Sequence, residues 1–513
     1  MDQARSPLLE ALLRHARAGY VPLHLPAHKQ GRWSGGRLPG PGRRWAALDF
    51  TELPGLDDLH LPTGPILEAQ ALAADALGAD QAFFLVGGST AGVQAMILAA
   101  CFPDDVLLLP RHAHPSAVGG LVWSGARPVY LRPQVDEGLG LALGLDGPEL
   151  EAGLARARQV RAGGARAVLL VDPTYWGLAG PLAELCALAR GGGCLILVDA
   201  AHGGHFRFHP GLPRDALAAG ADLCVYGFHK TAGSLTQTAV LCRRGGGVDP
   251  ARVSLALKLL QTSSPSYPLL ASLDAARREL AVFGPGLLGR AMEAADWARS
   301  RLSLLPGLSC PGPDLVGRPG VAGFDRLKLV VHLRQEGWGG RSGAGPDGTA
   351  VAAALRERFR VQVEMAQGRN LLAVVGPGEG RAGVAELVRS LGRLVAVRGR
   401  GEGHGAARGR AFPTLATDAH RACLRLMRLT PAQPLTPRQA ILGPCREVWL
   451  EEAQGEVSAE LVSLHPPGQV VLFPGEEILP EAVDALRLLR RAGIAPQGAA
   501  DPTLRRLRVA AGG

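Results

Sequence analysis

The chain has 513 residues with 47% apolar content, Gly 69 and Pro 39, enough for a large core with many turns and, at roughly 150 residues per domain, about three structural units. Its charge of +9 comes from 55 basic against 46 acidic residues, but the arginines are scattered through helical patterns and no basic stripe carries interleaved aromatics, which argues against a nucleic-acid partner and suits an anionic cofactor. The eight cysteines form no C-x-x-C, so no metal site and no disulfide framework are expected, and no apolar run approaches the roughly 18 residues that cross a membrane.

The chain begins "MDQARSPLLEALLRHARAGY", an amphipathic helix pattern and not a signal peptide, so a soluble, cytoplasmic protein is expected. Residues 1–60 read as a helix and an extended arm. Within 61–290 short apolar runs alternate with helical patterns: "AFFLV" (82–86), "DVLLLP" (105–110), "RPVYLRP" (127–133), "AVLLVD" (167–172), "CLILVD" (194–199), "DLCVY" (222–226) and "TAVLCR" (238–243). Such near-continuous apolar strands predict an α/β fold with a mostly parallel sheet buried on both faces. Residues 291–397 alternate in the same way ("RLKLVVHL", "LLAVVGPG") and read as a smaller α/β domain. "RGRGEGHGAARGR" (398–410) reads as a Gly/Arg-rich linker, and 411–513 as a C-terminal domain with Pro-rich turns.

In a parallel sheet, ligands bind beyond the carboxyl ends of the strands, so the polar residues there are the candidates. "VGGSTAG" (86–92) places Gly88, Ser89 and Thr90 at the start of a helix, either as an anion cradle or as an ordinary N-cap. His114 in "PRHAHPSAV" offers a flat ring that could stack on another, or a plain capping residue. Thr174 and Tyr175 in "VDPTYWG" could reach a phenolic oxygen, or only form a proline turn. Asp199 closes an apolar run, where an ionised carboxylate needs a partner such as a protonated ring nitrogen; otherwise it caps the next turn. His202 follows three residues on.

Lys230 comes 31 residues after Asp199, and the chain has only four lysines, Lys29, Lys230, Lys258 and Lys328. An arginine serves wherever only charge is needed, whereas a partly desolvated lysine amine can lose its proton and become a nucleophile. A phosphate cradle, a stacking ring, a buried carboxylate and such a lysine form the set that pyridoxal phosphate requires.

The segments "PLHLPAHKQG" (22–31), "DFTELPGLDDLHLPTGPILEAQ" (49–70), "GGSTAGVQAMILA", "DAAHGGHFRFHPGLP", "HKTAGSLTQTAVL", "LQTSSPSYPLLASLD" (260–274), "VQVEMA" (361–366) and "HPPGQVVLFPGEEI" carry a resemblance across nearly the whole chain. It resembles the Orn/Lys/Arg decarboxylases, a group of fold type I pyridoxal-phosphate enzymes, and is most similar to the short bacterial members without the N-terminal wing domain. The resemblance implies Lys230 as the Schiff-base lysine, Asp199 as partner of the ring nitrogen and His202 near the ring. It implies His114 as the stacking residue, with Ser89, Thr90 and His229 close to the phosphate.

Departures from the family pattern are Gly227 for a serine, Ala200 for an acidic residue, Pro115 for a basic one and Ala27 for a glycine. The implied reaction is decarboxylation of a basic amino acid in polyamine metabolism, with arginine ahead of lysine and ornithine. Glu364 and Glu476 are candidates for the substrate's cationic end, or ordinary surface charges. A homodimer or larger homo-oligomer is implied, with the arm 1–60 and "QTSSPSY" reaching a neighbour's site. An aminotransferase or lyase reaction using the same Lys230 and Asp199 stays open, as does a non-catalytic regulatory relative.

Overall fold

The computed structural model describes residues 1–31, 45–336, 338, 347–399, 414–466 and 468–511. All seven apolar runs form strands: β1 (Gln81–Leu85), β2 (Val106–Pro110), β3 (Arg127–Leu131), β4 (Ala165–Val171), β5 (Leu195–Asp199), β6 (Leu223–Tyr226) and β7 (Ala239–Arg243). β2 and β6 are buried at every residue, the pattern of strands covered on both faces.

The chain forms two compact units, Met1–Ala100 with Leu195–Leu287, and Cys101–Cys194 with Leu288–Gly513. The expected cofactor domain, 61–290, therefore contributes to both. In the first unit the strand order is β1-β7-β6-β5. β7 runs antiparallel to both β1 and β6, and β5 runs parallel to β6. Two reversals restore direction, so β1, β5 and β6 all end at one edge. That edge gathers Asp199, the residues after Tyr226 and the start of helix α3 (Gly88–Ala100).

Helix α3 lies close on these strands because Gly92 has no side chain. A Cβ there would come within 2.5 Å of Val225 Cγ2 and 2.8 Å of Leu85 Cδ1. Helix α1 (Pro7–Arg17) is tied to the helix Tyr267–Ser303 by the fully buried pair Asp274 and Arg277. Asp274 accepts from the Leu8 N–H at 3.0 Å, while Arg277 donates to the carbonyls of Gln3 and Arg5 at 2.8 and 2.6 Å. Asp57 accepts from the N–H groups of Thr63, Gly64 and Ile66, satisfying the open amino end of helix α2 (Pro65–Leu77).

In the second unit β2 pairs in parallel with both β3 and β4. Three of the five pairings described among β1–β7 are thus parallel, and the expected mostly parallel arrangement holds. An antiparallel sheet orders Leu308–Ser309, Lys328–Leu333, Asn370–Val374 and Met365–Gln367. The C-terminal segment packs the helices Thr414–Leu426 and Pro480–Ala492 with two strand pairs, 445–449 with 506–510 and 462–464 with 469–472, around Cys423, Leu486 and Val509. Of the expected linker, residues 398–399 end the helix Arg381–Gly399, and the rest lies outside the described residues. Among the described residues no helix is long and apolar enough to cross a membrane.

Candidate active site

β6 ends at Tyr226, and after Gly227 the chain turns into a single helical turn, Phe228–Thr231, closed by the Lys230 N–H on the Gly227 carbonyl at 2.9 Å. This turn swings the half-buried Lys230 back over the strand ends, where its Nζ lies 3.3 Å from His202 Nε2. His202 belongs to the turn after β5, fixed by the Ala200 N–H on the Val225 carbonyl and the Gly227 N–H on the Ala201 carbonyl. Hydrogen bonds across the parallel β5–β6 pair thus bring the two sequence motifs together.

Asp199, at the end of β5, is 7% exposed, and its one hydrogen bond among the described residues comes from the Ala201 N–H at 3.1 Å. A buried carboxylate so sparsely satisfied suits a cationic partner. Ser89 is also buried, and its Oγ has no hydrogen-bond partner among the described residues. It sits in the first turn of α3, where open N–H groups and the helix dipole favour an anion. Gly88, at φ +70, donates to the Gln237 carbonyl at 2.9 Å, and Thr90 is exposed.

Gly227 is explained by the same packing. A Cβ on it would lie 2.7 Å from the Ala201 carbonyl, 3.1 Å from Ser89 Oγ and 3.2 Å from Lys230 Cδ. The space a serine side chain would need is closed first by the Ala201 carbonyl and then by the Ser89 hydroxyl. His229 places its Nδ1 2.7 Å from the Thr238 carbonyl, so that nitrogen carries the proton. Burial pushes its pKa down, against the pull of that hydrogen bond and with help from the Lys230 charge, so it favours the neutral form.

An amine for an aldehyde, a buried carboxylate for a ring cation and an unpartnered hydroxyl at a helix start fit the pyridoxal phosphate expected from the sequence.

The other candidates belong to the second unit. His114 is half-buried, with Nδ1 accepting from the Ser116 N–H at 3.2 Å and lying 2.9 Å from Ser116 Oγ. Thr174 is buried in a turn, its Oγ1 accepting from the Leu178 N–H at 3.2 Å. Glu364 is exposed and accepts from the Tyr175 hydroxyl at 2.5 Å. Burial first, and Glu364 second, push the Tyr175 pKa up.

Glu476 differs from the expected substrate carboxylate. It is 4% exposed and paired with Arg111, whose Nη2 lies 3.0 Å from Oε2 in a two-pronged contact. Burial raises its pKa against the pull of that arginine. Its charge is already matched inside the protein, which leaves Glu364 as the exposed member of the two.

Sequence reasoning missed Arg111, one arginine among 55 basic residues. The available signal was its position directly after the fully buried β2.

The Orn/Lys/Arg decarboxylase major-domain model matches residues 6–318, and the model of that family's C-terminal domain matches residues 415–495. Arginine decarboxylase of Bacillus subtilis is 34% identical over 99% of this chain and 98% of its own, and that of Bacillus anthracis 32% identical over the same shares. Among solved structures, a lysine decarboxylase of Francisella novicida has a TM-score of 0.81 at 18% identity, covering 99% of this chain and 81% of that one. The constitutive lysine decarboxylase of Escherichia coli has a TM-score of 0.77 at 21% identity, covering 99% and 82%. These two likenesses establish the shared fold.

Proposed function

The chain belongs to the Orn/Lys/Arg decarboxylase family, and on that premise we propose that it converts arginine to agmatine and CO2, with lysine and then ornithine as the next substrates. It is a pyridoxal-phosphate-dependent amino-acid decarboxylase. End-to-end similarity supports the choice of arginine: four relatives named arginine decarboxylase are 32 to 34% identical over 93 to 99% of this chain.

Bound pyridoxal phosphate supplies an electron sink for the pair released when the bond between Cα and the carboxylate breaks. In the proposed roles, the Lys230 amine would hold the cofactor by its aldehyde. The Asp199 carboxylate keeps the proton on the ring nitrogen. Gly88, Ser89 and Thr90, at the start of α3, hold the phosphate, with His229 nearby. His114 would be the stacking residue for the ring and Thr174 a partner for its phenolic oxygen.

His202, 3.3 Å from Lys230 Nζ, is placed to exchange a proton with it. One of these two returns a proton to Cα. Glu364 is the candidate for the guanidinium of the substrate. The proposal extends to polyamine metabolism in the cytoplasm and to at least a homodimer.

The test is purified protein assayed for CO2 release from arginine, lysine and ornithine, with its cofactor absorbance recorded. Release fastest with arginine is expected. A cofactor band with no CO2 from any of the three would point to aminotransferase or lyase chemistry. Sedimentation showing only monomer would remove the dimer.

A further inference from the structure

One buried cluster of the second unit has no part in the chemistry above. Arg111, the first residue past β2, forks onto both carboxylate oxygens of Glu476. Its guanidinium also lies 4.8 Å from the ring centre of Phe473 and 5.3 Å from that of Tyr130. Three residues later, the His114 ring is held at Nδ1 by Ser116. Its opposite edge meets Gly468, where a Cβ would lie 3.1 Å from His114 Cδ2 and 3.0 Å from Pro115 Cδ.

Gly468, at φ +96, stands in the turn between Val462–Leu464 and Gln469–Leu472. One C-terminal stretch, 468–476, therefore grips both ends of the stretch 111–115. A two-pronged guanidinium–carboxylate contact fixes orientation as well as distance, and a stacked ring depends on both.

We propose that the Arg111–Glu476 pair, with Phe473 and Gly468, is a positioning device for the ring of His114, through which the C-terminal segment controls how firmly the cofactor is held. The inference rests on the reading of His114 as the stacking residue.

It is tested on purified holoenzyme by the rate at which the cofactor is released and by the circular dichroism of its absorbance band. The proteins are wild type, Glu476→Gln, His114→Ala and the double variant. Glu476→Gln speeds release about tenfold and alters the dichroism, while in the His114→Ala background it adds less than about twofold, the coupling expected of residues that act through one another. A purely structural pair would speed release equally in both backgrounds, and that outcome overturns the proposal. So does fast release from His114→Ala with wild-type release from Glu476→Gln, which leaves the stacking reading intact. Wild-type release from His114→Ala removes the stacking reading and this inference with it.

Should Glu476→Gln not fold, Phe473→Leu takes its place, because it leaves the ion pair intact and removes one of the two rings around the Arg111 guanidinium. The same dependence on His114 is expected, and an equal effect in both backgrounds overturns the proposal.

Discussion

Asp199 and Glu476 are both carboxylates less than a tenth exposed, yet the protein treats them in opposite ways. Glu476 receives a guanidinium on both oxygens and two aromatic rings around that guanidinium. Asp199 receives a single backbone N–H. A buried charge with its counter-charge in the same chain costs much to break, because removing either partner leaves the other buried alone. A buried charge left with one weak donor still has room for a cationic partner. The same contrast separates the unpartnered Ser89 hydroxyl from Thr174, whose Oγ1 is bonded within its own turn.

The largest expected effect is on the ligand-directed side. Lys230→Ala should remove the cofactor band and lower CO2 release by at least about a thousandfold, roughly 4 kcal/mol on the barrier, while thermal unfolding of the apoprotein stays within a few degrees. A retained band would break the comparison at its first member.

Glu476→Gln, unlike Lys230→Ala, should lower the stability of the fold itself. It leaves Arg111 buried without its counter-charge, so denaturant unfolding should register a loss of about 3–5 kcal/mol, and Arg111→Met with Glu476→Leu should recover most of it. Asp199→Asn, by contrast, should cost about 3 kcal/mol on the barrier and little in unfolding. Equal stability losses at Asp199 and Glu476 would dissolve the distinction.

A smaller effect concerns pH. His420 is buried, with Nε2 donating to the Gly140 carbonyl at 2.9 Å and Nδ1 without a hydrogen bond among the described residues. Burial is the main cause of its pKa falling from 6.5 to about 4. The unfolded chain takes up the proton first as pH falls, so the folded state loses stability from about pH 6.5 down to about pH 4. The loss at the lower end is about 3 kcal/mol. His112, pushed to about 4 by burial, adds to the same window. His420→Gln should flatten part of this slope in unfolding measured from pH 8 to pH 4, and an unchanged slope would sink the assignment.

The smallest effect expected is at Gly227. Gly227→Ser should weaken cofactor binding by about 1–3 kcal/mol through overpacking against Ser89 and the Ala201 carbonyl. Tighter binding would mean that the added hydroxyl reaches the phosphate after all.

Fully buried strands need near-continuous apolar runs, so the seven strands were legible in the sequence, and Asp199, His202 and Lys230 stood out because they lie at, or within four residues of, the ends of two such runs. Local pattern suffices where a residue's role depends on its place on its own strand. The rest came from packing between distant segments. Glu476 and Arg111 are 365 residues apart, and no local signal distinguishes a carboxylate that meets an arginine from one left exposed. Gly227 was visible as a departure from a family pattern, but its reason is the Ala201 carbonyl on the neighbouring strand end, with the Ser89 hydroxyl next to it. Packing across such separations is set by which surfaces meet in three dimensions, and a linear pattern does not encode that directly.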